Sequence, residues 1–153
     1  MSQPGDATPK PTAATATPEP DLYRQIIDWD KRLRHEGPFL IEALAVAPGA
    51  RVLDLGSATG EHDRWLAAHG ARVVGGDRSA EMIAAARATA AGDARIEYLE
   101  GDLAALPMPI GEPYDAAMCL GNTLVHVLDE AGIAACAKGV GLRLRPGGAF
   151  LVQ

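Results

Sequence analysis

Residues 51–66 read RVLDLGSATGEHDRWL. An apolar run leads into Asp54, small residues and two glycines follow, and helical spacing begins at Glu61. Strand, glycine-bearing loop, helix is the unit from which parallel α/β sheets are built. The chain repeats it. Short apolar runs at 52–55, 72–75, 96–99, 114–120 and 149–152 alternate with longer amphipathic or Ala-rich stretches at 61–68, 80–90 and 129–144. Ser79 is placed to cap the second of these helices, and Pro146-Gly147-Gly148 to end the third. Right-handed crossovers then predict a doubly wound, Rossmann-like parallel sheet of about five strands with helices on both faces.

Upstream, residues 1–20 are rich in Pro, Thr and Ala and carry almost no large apolar side chain, the composition of a disordered tail. From residue 21 to 153 the texture is that of one globular domain. Leu22, Ile26, Trp29 and Leu33 recur at helical spacing, and Phe39, Leu40, Leu44 and Val46 follow Gly37-Pro38, so one or two helices precede the first strand. The formal net charge of −6 argues against a nucleic-acid or anionic-membrane surface. Cys119 and Cys136 lie in apolar runs and read as reduced core thiols. The absence of a leader pattern and of a 20-residue apolar run points to a cytoplasmic chain with no membrane partner.

In a doubly wound sheet, ligands bind beyond the carboxyl ends of the strands. Each strand end here carries a polar group. The loop after the first strand holds Asp54, Gly56, Ser57, Ala58 and Gly60, with Ala58 where a dinucleotide fingerprint wants its second glycine. The acids Glu61 and Asp63 would repel a pyrophosphate, so a ligand without phosphates fits better. Asp77, 23 residues after Asp54, ends the second strand and is followed by Arg78. That is close to the spacing of a ribose-binding acid. Asp102 and Leu103 follow the third strand, and Leu120-Gly121-Asn122-Thr123-Leu124-Val125-His126 follow the fourth. The histidines and cysteines show no metal-ligand spacing.

The series VLDLGSATG, VVGGD, EGDLAALP, YDAAMCLGNTLVH and LRPGGAFLV resembles the class I S-adenosylmethionine-dependent methyltransferases. CLGNTLVH, and IIDWDKRLR before the first strand, look like the glycine and sarcosine N-methyltransferases and related bacterial small-molecule enzymes. The resemblance implies S-adenosyl-L-methionine as cofactor and a small-molecule acceptor, an amine. It places Asp54 and the loop of Gly56, Ser57, Ala58 and Gly60 against the methionine part. Asp77, with Arg78 beside it, falls to the ribose, Asp102 and Leu103 to the adenine, and Leu120 to the methionine side. Arg34 matches an arginine that reaches the cofactor's carboxylate, and Asn122 and His126 flank the methyl group and acceptor as the catalytic pair. Ser57-Ala58 replaces the family's commoner Cys-Gly. If position 58 needs positive φ, alanine there costs about 1 kcal/mol or more. Seven strands are usual, so the resemblance also implies a C-terminally truncated chain lacking the last two, with a strand-five edge open to dimerisation.

Simpler readings compete at each position. Asp54 can cap its loop, Asp77 and Asp102 can act as helix caps, Asn122 can hold a turn and His126 can bond its own loop. His62 reads as a surface residue and Trp29 as core. A cofactor-binding remnant or interaction module without turnover is the alternative to an enzyme. A nucleic-acid methyltransferase is disfavoured, since the loop after the fourth strand has neither a Pro-Pro-aromatic nor a Pro-Cys pattern.

Overall fold

The computed structural model describes residues 18–103, 105, 111–121, 123–126 and 129–153, with the backbone alone at Val125 and His126. Two helices, α1 (Pro20–Gln25) and α2 (Trp29–Ala43), lead into β1 (Arg51–Leu55). Then follow α3 (Glu61–Ala68), β2 (Arg72–Asp77), α4 (Ala80–Ala90), β3 (Ile96–Glu100), β4 (Tyr114–Cys119), a 3₁₀ turn at Thr123–His126, α5 (Glu130–Gly141) and β5 (Leu144–Val152). All pairings are parallel, in the order β3-β2-β1-β4-β5. The chain runs outward from β1 to β3, then returns to the other side of β1. The switch point therefore lies between β1 and β4, the expected architecture.

Alternation along β1 sorts the core into two layers. Val52 packs with Leu40, Leu44, Leu66, Val73 and Met118 under α2 and α3. Leu53 and Leu55 pack with Val74, Ala117, Cys119, Cys136 and Val140 under α5. Burial on both sides explains why the strands read as nearly unbroken apolar runs. Asp54 shares its parity with Val52, so its carboxyl lies on the α3 side.

Helix starts follow capping chemistry. The carboxylate or hydroxyl of Asp28, Ser79 and Asp129 accepts from the backbone N–H of Lys31, Met82 and Gly132, at 3.0, 3.3 and 2.6 Å. Two helices precede β1, within the sequence reading, and Gly37-Pro38 lies inside α2, where Gly37 admits the Trp65 ring of α3. A Cβ at Gly37 would sit 2.2 Å from Trp65 Cζ2. The helix expected over 129–144 ends at Gly141, and Pro146-Gly147-Gly148 lies within β5 as an irregular insertion. Tyr114 pairs with Leu144 and Ala116 with Ala149, so five steps on β5 match two on β4. Gly147 takes positive φ there, and Asp115 anchors the insertion by accepting from Arg145 Nε at 2.6 Å. β3 and β5 are the two edges of the described sheet. Among the described residues no helix is long and apolar enough to cross a membrane.

Candidate functional site

The loops after β1 and β4 meet over the switch point. A Cβ at Gly56 would lie 2.2 Å from Thr123 Cγ2, so only glycine lets the two loops close on each other. Thr123 Oγ1 donates to the Leu120 carbonyl at 2.6 Å and holds that loop's turn. Leu120 is buried in the α3-side cluster.

The backbone of residues 56–60 is tied to the end of β2. The N–H groups of Gly56 and Ser57 both donate to the Gly76 carbonyl, at 2.7 and 3.0 Å. Ala58 N–H donates to Asp77 Oδ2 at 3.0 Å, and Gly60 N–H donates to the Ser57 carbonyl at 2.8 Å. These amides are engaged within the protein and do not form an open phosphate cradle. Side chains brace the same loop. Thr59 Oγ1 donates to Glu61 Oε2 at 2.5 Å, and Arg64 bridges the Thr59 carbonyl and Glu61 Oε1 at 2.8 and 3.0 Å. Arg24 reaches from α1 to Glu61 Oε1 at 3.2 Å.

Ala58 has φ +47°, the left-handed conformation that L-residues adopt at a cost. The Ala58→Gly variant is expected to gain about 0.5–1 kcal/mol, the relief of strain less the glycine's larger unfolded-state entropy. A urea midpoint that rises with an unchanged slope is the check, and a midpoint at or below the parent's would contradict it.

Beneath the loop lie two buried carboxyls, three of whose four oxygens meet no donor among the described residues. Asp54 is 3% exposed and Asp63, from α3, is fully buried. Oδ1 of Asp54, both oxygens of Asp63 and the Ser57 hydroxyl meet no hydrogen-bond partner among the described residues. Gly75 pairs with Asp54 across the β1–β2 ladder, and a Cβ on it would lie 2.6 Å from Asp63 Oδ2 and 2.9 Å from Tyr98 Cδ1. Burial is the main force pushing both acids up, Asp63 to about 7 and Asp54 well above the ordinary aspartate range, with each other's charge adding to Asp54's shift.

The sign of the linkage follows. In the unfolded chain both acids titrate near 3.8, so from about pH 4 to about pH 7 the folded chain binds more protons than the unfolded one. Stability contributed by the pair therefore falls as pH rises through that interval. Burial holds His62 below its ordinary value, which gives the opposite slope. Asp63→Asn against the parent isolates the pair: urea unfolding from pH 5 to pH 8 is expected to show a smaller loss of stability in the variant. Identical pH profiles would refute this.

The remaining expected site residues divide. Asp77 sits at the end of β2 with Oδ1 accepting from Ser79 N–H at 2.9 Å and Oδ2 from Ala58 N–H. Its carboxylate thus orders both the loop and the start of α4. Arg78 beside it is exposed. Asp102 is exposed after β3, and Leu103 is half-buried against the α5-side cluster. Arg34 is exposed on α2 and makes no hydrogen bond or ion pair with the described residues. Asn122 and the side chain of His126 lie outside the described residues; the His126 backbone ends the 3₁₀ turn.

Sequence reasoning missed several neighbours of the loop. His62 is no surface residue: its side chain is 12% exposed, bonded to Glu36 at 3.1 Å and edge-on to Trp29. Asp63 precedes Leu66 and Ala67 by three and four positions, which puts it on the buried stripe of α3. That periodicity was the available signal. Tyr23 of α1 is half-buried and the neighbouring Arg24 reaches Glu61, so the N-terminal segment borders the site. A separate cleft of about 360 Å³, lined by Ile27, Asp28, Lys31, Arg32, His35 and Glu36, contains none of the strand-end residues. Among the described residues no three His, Cys, Asp or Glu are grouped to hold a metal ion.

A family model described as a methyltransferase domain matches residues 52–148. The glycine/sarcosine N-methyltransferase of Halorhodospira halochloris is 37% identical over 111 residues, covering 72% of this chain and 41% of the relative. That of Parasynechococcus marenigrum is 34% identical over 111 residues, covering 72% and 39%. The chain thus spans about two-fifths of the length of these curated relatives. Among solved structures, the SAM-bound amino pentose methyltransferase CalS10 of Micromonospora echinaspora superposes with a TM-score of 0.68 at 26% identity, covering 86% of this chain and 53% of its own.

Proposed function

The chain belongs to the methyltransferase domain family and has the class I S-adenosylmethionine-dependent fold, and on that premise we propose that it binds S-adenosylmethionine across its strand ends and methylates a small molecule at an amine nitrogen. The observation that carries the reading is the acceptor-rich rim. Asp54 and Asp77 stand at neighbouring strand ends, on a loop whose amides are already engaged. Such a rim matches a ligand that brings donors: an ammonium group, ribose hydroxyls and an exocyclic amine.

The residues fit the cofactor group by group. Asp54, with an unpartnered buried oxygen, and the loop of Gly56, Ser57, Ala58 and Gly60 would take the methionine end, with Leu120 beside it. Asp77, flanked by Arg78, keeps free lone pairs for two ribose hydroxyls, and Asp102 with Leu103 would take the adenine. Arg34 would meet the carboxylate, and Asn122 and His126 would line the acceptor side. When bound, the cofactor supplies a methyl group on a sulfonium, a leaving group that needs no proton. The chain's own task is then to align the acceptor's lone pair and keep water out. Amine acceptors are supported by the N-methyltransferase relatives and the amino pentose enzyme.

The test is calorimetric titration of the chain with S-adenosylhomocysteine, then methyl transfer from S-adenosylmethionine to a panel of small amines that includes glycine and sarcosine. Saturable binding and a methylated amine are expected. Binding with no product from any amine would reduce the chain to a cofactor-binding module, and no binding by a folded chain would sink the reading.

A further inference from the structure

The cofactor reading gives Asp54 a task but none to Asp63, which nonetheless occupies the most enclosed polar position of the site. Asp63 is fully buried and neither of its oxygens meets an N–H or O–H donor among the described residues. Its carboxyl faces Asp54 and the Tyr98 ring around Gly75, the ladder partner of Asp54; a Cβ at Gly75 would lie 2.6 Å from Asp63 Oδ2 and 2.9 Å from Tyr98 Cδ1. Two carboxylates have no donor between them. A hydrogen bond joining them needs a proton on one, and like charges held together in a dry site keep that proton.

We propose that Asp63 is a positioning residue of the cofactor site: it shares one proton with Asp54, and the ligand's ammonium group, on docking against Asp54, drives that proton into solvent. The inference rests on the cofactor reading and adds a proton to its binding equilibrium. Across the ladder Asp54 faces Gly75 on one side and Met118 on the other, and neither offers a side chain that can hold a carboxyl. With Asp63, it is aimed and stored neutral until a cation arrives. Among the described residues no Lys or Arg forms an ion pair with Asp54 or Asp63. The groups facing the pair are Asp77 from β2, Glu61 and Arg64 from α3, Tyr98 from β3, Tyr23 from α1 and Cys119 from β4. Arg64 is the one cation among them, and it is hydrogen-bonded to Thr59 and Glu61.

The test is titration of the full chain with S-adenosylhomocysteine at pH 7 in phosphate and in Tris, whose different ionisation enthalpies report the protons exchanged. The wild-type chain is expected to release close to one proton per ligand bound. Its affinity should rise with pH between 6 and 8, by up to tenfold per unit. Asp63→Asn, which keeps an amide donor to hold Asp54, is expected to release clearly fewer protons than the wild type and to show a flatter pH profile. Binding to the wild type without proton release would overturn the inference and leave the cofactor reading standing. So would an Asp63→Asn chain that releases as many protons as the wild type. No binding at any pH would overturn both. If Asp63→Asn does not fold, Asp63→Ser, neutral and smaller, is titrated in its place and read by the same two outcomes.

Discussion

Replacing Asp77 with alanine is expected to weaken S-adenosylhomocysteine binding at least tenfold, about 1.4 kcal/mol. Two losses add up. An ionised carboxylate has about four lone-pair sites, and backbone donors occupy one on each oxygen: Ser79 N–H on Oδ1 and Ala58 N–H on Oδ2. The remaining pair faces the ligand under the proposed reading, and each hydrogen bond to a charged group contributes about 1.5–3 kcal/mol. Alanine removes these and also frees the loop that Asp77 ties down. Asp77→Asn separates the two roles, because it keeps one carbonyl acceptor and loses the charge; an intermediate affinity is expected. Calorimetry gives the affinities, and urea midpoints show whether each variant is folded at the titration temperature. An alanine variant that is folded and binds like the parent would remove Asp77 from the site.

Gly60→Ala is expected to cost more in stability than any other single change considered, about 2–5 kcal/mol. The residue has φ +76°, which in an L-residue costs about 1–2 kcal/mol. Its Cβ would also lie 2.0 Å from the Tyr98 hydroxyl, and overpacking of a rigid site costs about 1–3 kcal/mol more. Two comparisons divide the total. Gly92 has the same φ of +76° but nothing within 4 Å of a Cβ, so Gly92→Ala should show the conformational share alone. Tyr98→Phe in the Gly60→Ala background removes the clashing oxygen and should recover part of the rest, a positive coupling in a double-mutant cycle. Equal costs at positions 60 and 92 by urea unfolding would mean that Tyr98 does not confine the loop.

The parts of the fold that could be read from the chain are those where one physical cause dominates. The start of α4 was legible because Ser79 is a good cap with an Ala-rich run behind it, and α3 because Gly60 breaks the pattern directly before Glu61. The central strands were legible because a sheet covered on both faces needs apolar residues at nearly every position. The end of α5 was not. Leu142, Arg143 and Leu144 continue a plausible helical period, and the turn to β5 is set by pairing with Tyr114, a contact 30 residues away. Whether Gly37-Pro38 divides one helix from the next was open in the sequence because its compensation, the Trp65 ring, lies on another helix. At the site, the acids on strand ends stood out against apolar runs. Asp63 stood out only as an acid hostile to a pyrophosphate; its burial becomes legible once its spacing to Leu66 and Ala67 places it on the packed stripe of α3.

The Gly37–Trp65 contact also ties the persistence of α2 to α3. Glycine and proline weaken a helix interior by about 1 and 3 kcal/mol relative to alanine, so α2 lacks the intrinsic propensity to persist alone. It becomes worth forming once α3 has docked on β1 and β2 and offers the indole ring that Gly37 covers. On that ground α2 is expected to form a less protected cooperative unit than the sheet. Native-state amide exchange is expected to show α2 opening at a lower free energy than β1 and β4, while the loop over the switch point stays closed. Matching protection in α2 and in those strands would mean that the chain opens as a single unit.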